Sequence, residues 1–401
     1  MRVLFVAPEN TQTGGSFLSM VELCKQLRLR YGVEPIVVTS TRGDGVKLLQ
    51  ENDIRYFTLP MFFPTYSLRL NIRDIIKSII KICLMPFHWY SKWKIKKFLQ
   101  QEEIDIVHIN NVFALSAAAA ALETKNPIVW HVREMFDADY HVSFIQGNEY
   151  AWKLLRAADA VIAISNVVSR TYKQALGTAN NMETVYNGIS MDFYHEHDIL
   201  NGPTVTFACI GQFIEHKNHI ELIEACRLLK EAGIENYKLI LLGKGYLKSS
   251  LQKLVLKYGL SEQVIFAGTR SDIPEFLGSC DVVCVPSSSE AFGRTFVEGM
   301  LSGCLLIGAD SAFSAAGEII ENNETGILYQ SGNPQDLAKE MKNIISGQDR
   351  AVFQKIAKRG QKSAAQRFTS EKNADVIMNI YRSVLQKRKG ILPEKTEERV
   401  I

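Results

Sequence analysis

Short apolar runs recur along the chain and alternate with stretches of helical periodicity. In the first half they are RVLFVA (2–7), EPIVVTS (34–40), IDIVHIN (104–110), PIVWHV (127–132) and DAVIAIS (159–165). The second half repeats the pattern with TVTFACI (204–210), KLILLG (238–243), VIFAG (264–268), DVVCVPS (281–287) and CLLIGA (304–309). Runs apolar at nearly every position are strands buried on both faces, and helices between them imply parallel pairing. Two such series predict two doubly wound α/β domains, with a ligand in the cleft between them at the carboxyl ends of the strands. Periodicity lapses in MDFYHEHDILNGP (191–203), which places the boundary there. The expected layout is a first domain over 1–192, a second over 203–365, helices over 366–387 packing back toward the first, and a charged tail over 388–401 that frays.

Composition fits this picture and narrows it. The chain has 401 residues, 46% hydrophobic and 22% charged, enough for two cores of ordinary size. The net charge of +3 hides an uneven distribution: residues 61–100 hold eight basic residues against Asp74 alone, so this segment is +7 and the rest of the chain −4. Nothing here points to nucleic acid as a partner. Seven scattered cysteines, mostly in apolar runs, suit reduced thiols in a cytoplasmic protein, and Cys280 and Cys284 lack the second pair a zinc site needs. MRVLFVAP is expected to be a strand rather than a secretory signal, and no apolar run reaches the length of a membrane span.

Candidate chemistry falls just after the predicted strands. Gly14 and Gly15 open onto a helical pattern after the first strand, where backbone N–H groups can approach a phosphate, or simply form a tight turn. His131 stands at or just past the end of the fourth strand, with an ordinary pKa near neutrality. In IGQFIEHKNH the strand ends at Gly211 and Lys217 meets the start of the next helix, a good position for a point charge facing a diphosphate. GKGYLK (243–248) is a weak partial glycine loop.

SEAFGRTFVEGM (289–300) is the most specific stretch. Phe296, Val297, Met300 and Leu301 predict a helix over 294–302, so Glu290 lies in the loop before it and Glu298 one turn inside. On one continuous helix, eight residues would part the two acids by roughly 12 Å along the axis and about 80° around it. They cannot serve one small group. They can grip two parts of an extended ligand, with the backbone N–H groups of Phe292, Gly293 and Arg294 facing an anion between them. The plain reading, two acids complementing a helix dipole, leaves the loop glycine unexplained.

Glu290 and Glu298 within PSSSEAFGRTFVEGMLSGCLLIGAD, followed by Glu318 in GEIIENNETGILY, resemble the signature of retaining glycosyltransferases of family 4 with the GT-B fold. The likeness extends to the Gly14–Gly15 loop, WHVRE around His131, VYNGIS (185–190), GQFIEHKNH around Lys217 and AAQRFTSEKNADVIMNIYRSVL near the end. The resemblance implies two Rossmann-like domains and a nucleotide-diphosphate sugar, such as a UDP-sugar, held mostly by the second. It implies that Glu298 binds the ribose hydroxyls, Glu290 the transferred sugar and Lys217 the diphosphate, with His131 near the reacting sugar. Gly14, Gly15, Gly211, Gln212, Thr269, Arg270, Phe292, Gly293 and Arg294 complete the implied donor-binding set. Neither a metal nor another cofactor is expected. One position departs from the family pattern, which carries arginine where this chain has Gln212; Arg294 is a candidate for the missing charge. A nucleotide-sugar epimerase or dehydrogenase would need a dinucleotide fingerprint, and none is present. A non-catalytic nucleotide-sugar-binding subunit stays open through Gln212.

Between the second and third of these strands, LRLNIRDIIKSIIKICL sets Ile72, Ile75, Ile76, Ile79, Ile80 and Cys83 at helical spacing, with Arg69, Arg73, Lys77 and Lys81 in a row four apart. FHWYSKWKIKKF then mixes aromatics with Lys92, Lys94, Lys96 and Lys97. Such a segment suits an enzyme resting on the anionic inner face of the cytoplasmic membrane to reach a glycan or lipid-linked acceptor. The competing expectation is a helix that packs its isoleucines on its own sheet.

Overall fold

The apolar runs become the central strands of two parallel sheets. A computed structural model describes residues 1–68, 71–136, 142–177 and 182–390, and the chain divides into two compact units, 1–188 with 370–401 and 189–369. Arg69 and most of the charged tail lie outside the described residues.

The first unit holds β1 (Arg2–Ala7), β2 (Glu34–Ser40), β3 (Arg55–Leu59), β4 (Thr65–Ser67), β5 (Ile106–Ile109), β6 (Ile128–Val132), β7 (Val142–Phe144), β8 (Ala160–Ala163) and β9 (Met182–Thr184). Seven of them form a parallel sheet in the order β3-β2-β1-β5-β6-β8-β9, while β4 and β7 pair antiparallel to one side. The last helix, Ser370–Arg388, belongs to this unit, burying Ile377, Tyr381 and Val384 beside Phe17, Met20 and Cys24 of the helix Gly15–Tyr31. Full burial of such side chains stabilises by about 1.5–3 kcal/mol each. Arg30 pairs with Asp375 at 2.8 Å and Arg388 with Asp159 at 2.6 Å.

The second unit holds β10 (Val205–Ile210), β11 (Tyr237–Leu242), β12 (Val264–Gly268), β13 (Val282–Val285), β14 (Leu305–Asp310) and β15 (Ile327–Gln330), all parallel, in the order β12-β11-β10-β13-β14-β15. Its core runs through Phe207, Phe213, Leu239, Leu241 and Ile307. The polar segment after Gly188 packs on this unit rather than hanging free. The His195 N–H bonds Leu301 O at 3.2 Å, and the Leu200 N–H bonds Asp281 at 2.5 Å.

Both sheets are those of doubly wound α/β domains, as the apolar runs imply. In each, the strand order reverses beside the first strand of the unit, between β1 and β5 and between β10 and β13. At such a switch point the loops leaving the carboxyl ends part to opposite faces and open a crevice.

Candidate functional site

In the second unit, three loops are knitted together at the β10/β13 switch point. The Ser288 N–H, after β13, bonds His216 O after β10 at 2.9 Å. Glu290 N–H donates to Phe313 O, and Glu290 O accepts from the Ala315 N–H, both at 2.9 Å, which fastens Glu290 to the loop after β14. Its backbone is therefore fixed on two sides and only the side chain is left to choose a direction. That side chain meets Lys217, with Nζ 2.5 Å from Oε2, in a pair only 24% and 15% exposed. Lys217 sits in a 3-10 turn, Glu215–Lys217, just before the helix His219–Glu231.

Gly293 makes the corner between loop and helix. Its φ is +78°, and a Cβ there would stand 2.3 Å from Phe296 Cδ2 and 3.0 Å from Glu290 Cγ. Only glycine fits both constraints. The helix Arg294–Leu301 follows, and Glu298 pairs one turn back with Arg294 at 3.0 Å, both side chains mostly buried. The carboxylate therefore already holds Arg294, so this arginine is not a free substitute for the charge Gln212 lacks. Phe292 is buried edge-on against Phe368, whereas Gln212 is exposed.

The partial glycine loop at 243–245 has a mechanical role. At Gly243, φ +152°, a Cβ would lie 1.9 Å from Gly211 O, so the loops after β10 and β11 touch backbone to backbone. Thr269 and Arg270 follow β12 at the sheet edge, both exposed, with Arg270 held by Asp272 at 2.5 Å. His219, which sequence reasoning passed over, is buried beside Gly211 and Lys217 and stacks edge-on against Phe213. Neither of its ring nitrogens has a hydrogen-bond partner among the described residues, and burial, then the Lys217 charge, lower its pKa to about 4. The HKNH motif was the available signal.

In the first unit the glycine loop meets an anion, and it is the protein's own. A Cβ on Gly14 would lie 2.1 Å from Glu9 Oε1, and Ser16 Oγ donates to the same carboxylate. Burial raises the Glu9 pKa, against the Ser16 hydrogen bond and the nearby Arg133 charge. Where the sequence suggests a phosphate approaching Gly14 and Gly15, the structure has Glu9 beside Gly14; Gly15 itself is exposed as the first helical residue.

His131 departs further from expectation. It is wholly buried in β6, and desolvation, then Arg133 and His108, hold its pKa well below the usual value, so it is a neutral imidazole rather than a near-neutral titrator. Its neighbours set the tautomer. Arg133 Nη2, which can only donate, lies 3.2 Å from His131 Nδ1, so Nδ1 accepts and Nε2 carries the proton. His108 Nε2 is 3.3 Å from the same Nδ1, and His108 Nδ1 is 2.7 Å from Tyr381 Oη. Arg133 is anchored in turn on Asn110 at 2.8 Å and Asn187 at 2.5 Å. His131 Nε2 is left as a buried donor with no partner among the described residues, suited to donating a hydrogen bond and not to accepting a proton.

No three His, Cys, Asp or Glu side chains converge as a metal site among the described residues. No described helix is long and apolar enough to cross a membrane.

Two parallel-sheet domains with acids and a lysine gathered at the switch point of the second fit the class that the sequence resembles, a glycosyltransferase with the GT-B fold. Comparison with known proteins agrees. The model of "Glycosyltransferase Family 4" matches residues 13–193 and that of "Glycosyl transferases group 1" residues 191–363, and the chain belongs to this family. Among similar proteins are an uncharacterised glycosyltransferase of Methanocaldococcus jannaschii, 26% identical over 71% of this chain and 77% of its own, and the N-acetyl-alpha-D-glucosaminyl L-malate synthase of Bacillus anthracis, 23% identical over 74% and 79%. Among solved structures, Anabaena HepE in complex with UDP and glucose superposes with a TM-score of 0.76 at 22% identity, over 96% of this chain and all of its own.

Proposed function

We propose that the protein transfers a hexosyl or N-acetylhexosaminyl group, with retention and without a metal ion, from a nucleoside-diphosphate donor to a glycan or lipid-linked acceptor. The setting is cell-surface polysaccharide synthesis at the inner face of the cytoplasmic membrane. The observation that carries the reading is the Lys217–Glu290 pair, held at the β10/β13 switch point by backbone bonds that fix both loops. A cation and a carboxylate there match the two ends of a sugar diphosphate: Lys217 takes the phosphate charge and Glu290 the sugar hydroxyls, while Glu298 takes the ribose. The anomeric C–O bond to the diphosphate breaks as the acceptor oxygen bonds to the same face of the sugar, and the acceptor proton passes to the departing diphosphate. Lys217 and the N–H groups from Phe292 to Arg294 stabilise the charge that develops on the leaving group. The UDP complex of HepE and the N-acetylglucosaminyl product named for the Bacillus relative support a UDP-linked sugar as the first donor to try.

A thermal-shift panel of nucleoside diphosphates and nucleotide sugars, followed by transfer assays with each binder, tests this, since a ligand of the folded state raises the unfolding temperature with concentration. Binding and turnover by at least one donor in the presence of a chelator are expected. A donor that binds but never reacts would favour a non-catalytic subunit, the reading that Gln212 leaves open.

A further inference from the structure

The helix Ile72–Cys83 is turned inside out. Two of its polar residues face the protein: Ser78 Oγ accepts from the Ser67 N–H, and Lys81 Nζ donates to Thr65 Oγ1, each at 3.0 Å and each to β4, while Arg73 and Lys77 are exposed. Burial lowers the Lys81 pKa, as expected for an ammonium drawn against protein. The isoleucines take the outer side. Ile72, Ile75, Ile76, Ile79, Ile80 and Ile82 are 44–77% exposed, and no residue of the helix is buried. At about 100° per residue they fill an arc of roughly 160°. One exposed isoleucine needs no explanation, but six on one arc mark a surface that binds something.

The next helix, Met85–Gln101, adds exposed Trp89, Tyr90 and Trp93. Lys94 Nζ lies 5.3 Å from the Trp93 ring centre and Lys97 Nζ 5.7 Å. Lys92 and Lys96, by contrast, are held by Glu123 at 2.5 and 2.7 Å. Rings flanked by lysines suit a boundary between apolar and aqueous phases. Charge chooses the occupant. The segment 61–100 is +7 against −4 for the rest of the chain, so a second copy docked through this face would oppose two like charges. An anionic lipid surface answers both the charge and the isoleucines.

We propose that the isoleucine arc of Ile72–Cys83 inserts at the acyl boundary of an anionic membrane, with Arg73, Lys77, Lys94 and Lys97 meeting the headgroups. This deepens the lipid-linked acceptor reading and rests on it for its purpose, although docking itself requires no donor.

The test is sedimentation of the full-length protein with vesicles of phosphatidylcholine alone or mixed with phosphatidylglycerol. Wild type is expected to bind the mixed vesicles at least tenfold more tightly. Ile76→Ser/Ile79→Ser, at exposed positions and with an unchanged melting temperature, loses at least tenfold; Lys94→Gln/Lys97→Gln loses about fivefold per charge at low salt. Equal binding by wild type and the isoleucine variant, or no binding by wild type, overturns the proposal. So does a wild-type dimer that the isoleucine variant converts to monomer without vesicle binding. A UDP thermal shift on the same samples separates failure of docking from failure of the donor reading.

Discussion

Replacing Glu290 by glutamine is expected to move two measurements in opposite directions. Glu290 is the counter-ion of Lys217, at 2.5 Å, with the lysine side chain 24% and the glutamate 15% exposed. A fully exposed pair contributes about 0–1 kcal/mol. A charge-assisted hydrogen bond sheltered from water contributes about 1.5–3 kcal/mol. This pair lies between, at about 1–2 kcal/mol. A diphosphate that recruits Lys217 must first break the pair, so Glu290→Gln removes a competitor, and UDP binds about 5- to 30-fold more tightly. The glutamine holds the sugar poorly, and kcat/KM falls about 100-fold. Lys217→Met removes the diphosphate contact itself and weakens UDP about 10- to 100-fold. Isothermal titration with UDP and a UDP-release assay read the two effects separately. Weaker UDP binding by Glu290→Gln, or undiminished binding by Lys217→Met, would refute the argument that Lys217 is shared between the carboxylate and the ligand.

Other consequences follow from packing and protonation. Gly293→Ala places a methyl 2.3 Å from Phe296 at φ +78°, so strain and overpacking together lower stability by about 2–4 kcal/mol; a loss below about 1 kcal/mol in urea unfolding contradicts this. Tyr381→Phe leaves buried His108 Nδ1 without its 2.7 Å partner and costs about 1–3 kcal/mol, with the first unit melting earlier. Stability also falls as pH drops. His88, His108, His131 and His219 are held neutral in the fold, mainly by burial, while the unfolded chain protonates them below about pH 6.5. Each therefore contributes stability that is intact above about pH 6.5 and declines by about 1.4 kcal/mol per pH unit toward the folded pKa, about 4 for His88 and His219. Glu9 and Glu221, with raised pKa values, act in the opposite sense but are fewer. Urea midpoints that are flat or rise between about pH 6.5 and 4.5 would count against this balance.

Much of the fold was readable because a strand buried on both faces is apolar at nearly every position, as Val282–Val285 is throughout and Leu305–Asp310 is up to its exposed last residue. Arg55–Leu59, Met182–Thr184 and Ile327–Gln330 escaped notice because each is short and lies at an edge of its sheet, with one flank unpaired and polar residues tolerated. In the site, spacing was enough to separate Glu290 from Glu298, but not to find their partners. Arg294 was within reach as an i, i+4 neighbour of Glu298. Lys217 lies 73 residues from Glu290, and they meet only because β10 and β13 are adjacent, an order that hydrophobic pattern does not carry. The isoleucine helix shows a different limit. Periodicity defines its apolar arc but not the side of the helix that faces the protein; Ser78 and Lys81 decide that through β4. Glu290 and Glu298 are paired with Lys217 and Arg294, so their charge is satisfied within the fold. The isoleucines have no such substitute among the described residues, and it is this exposure that the proposed membrane contact would relieve.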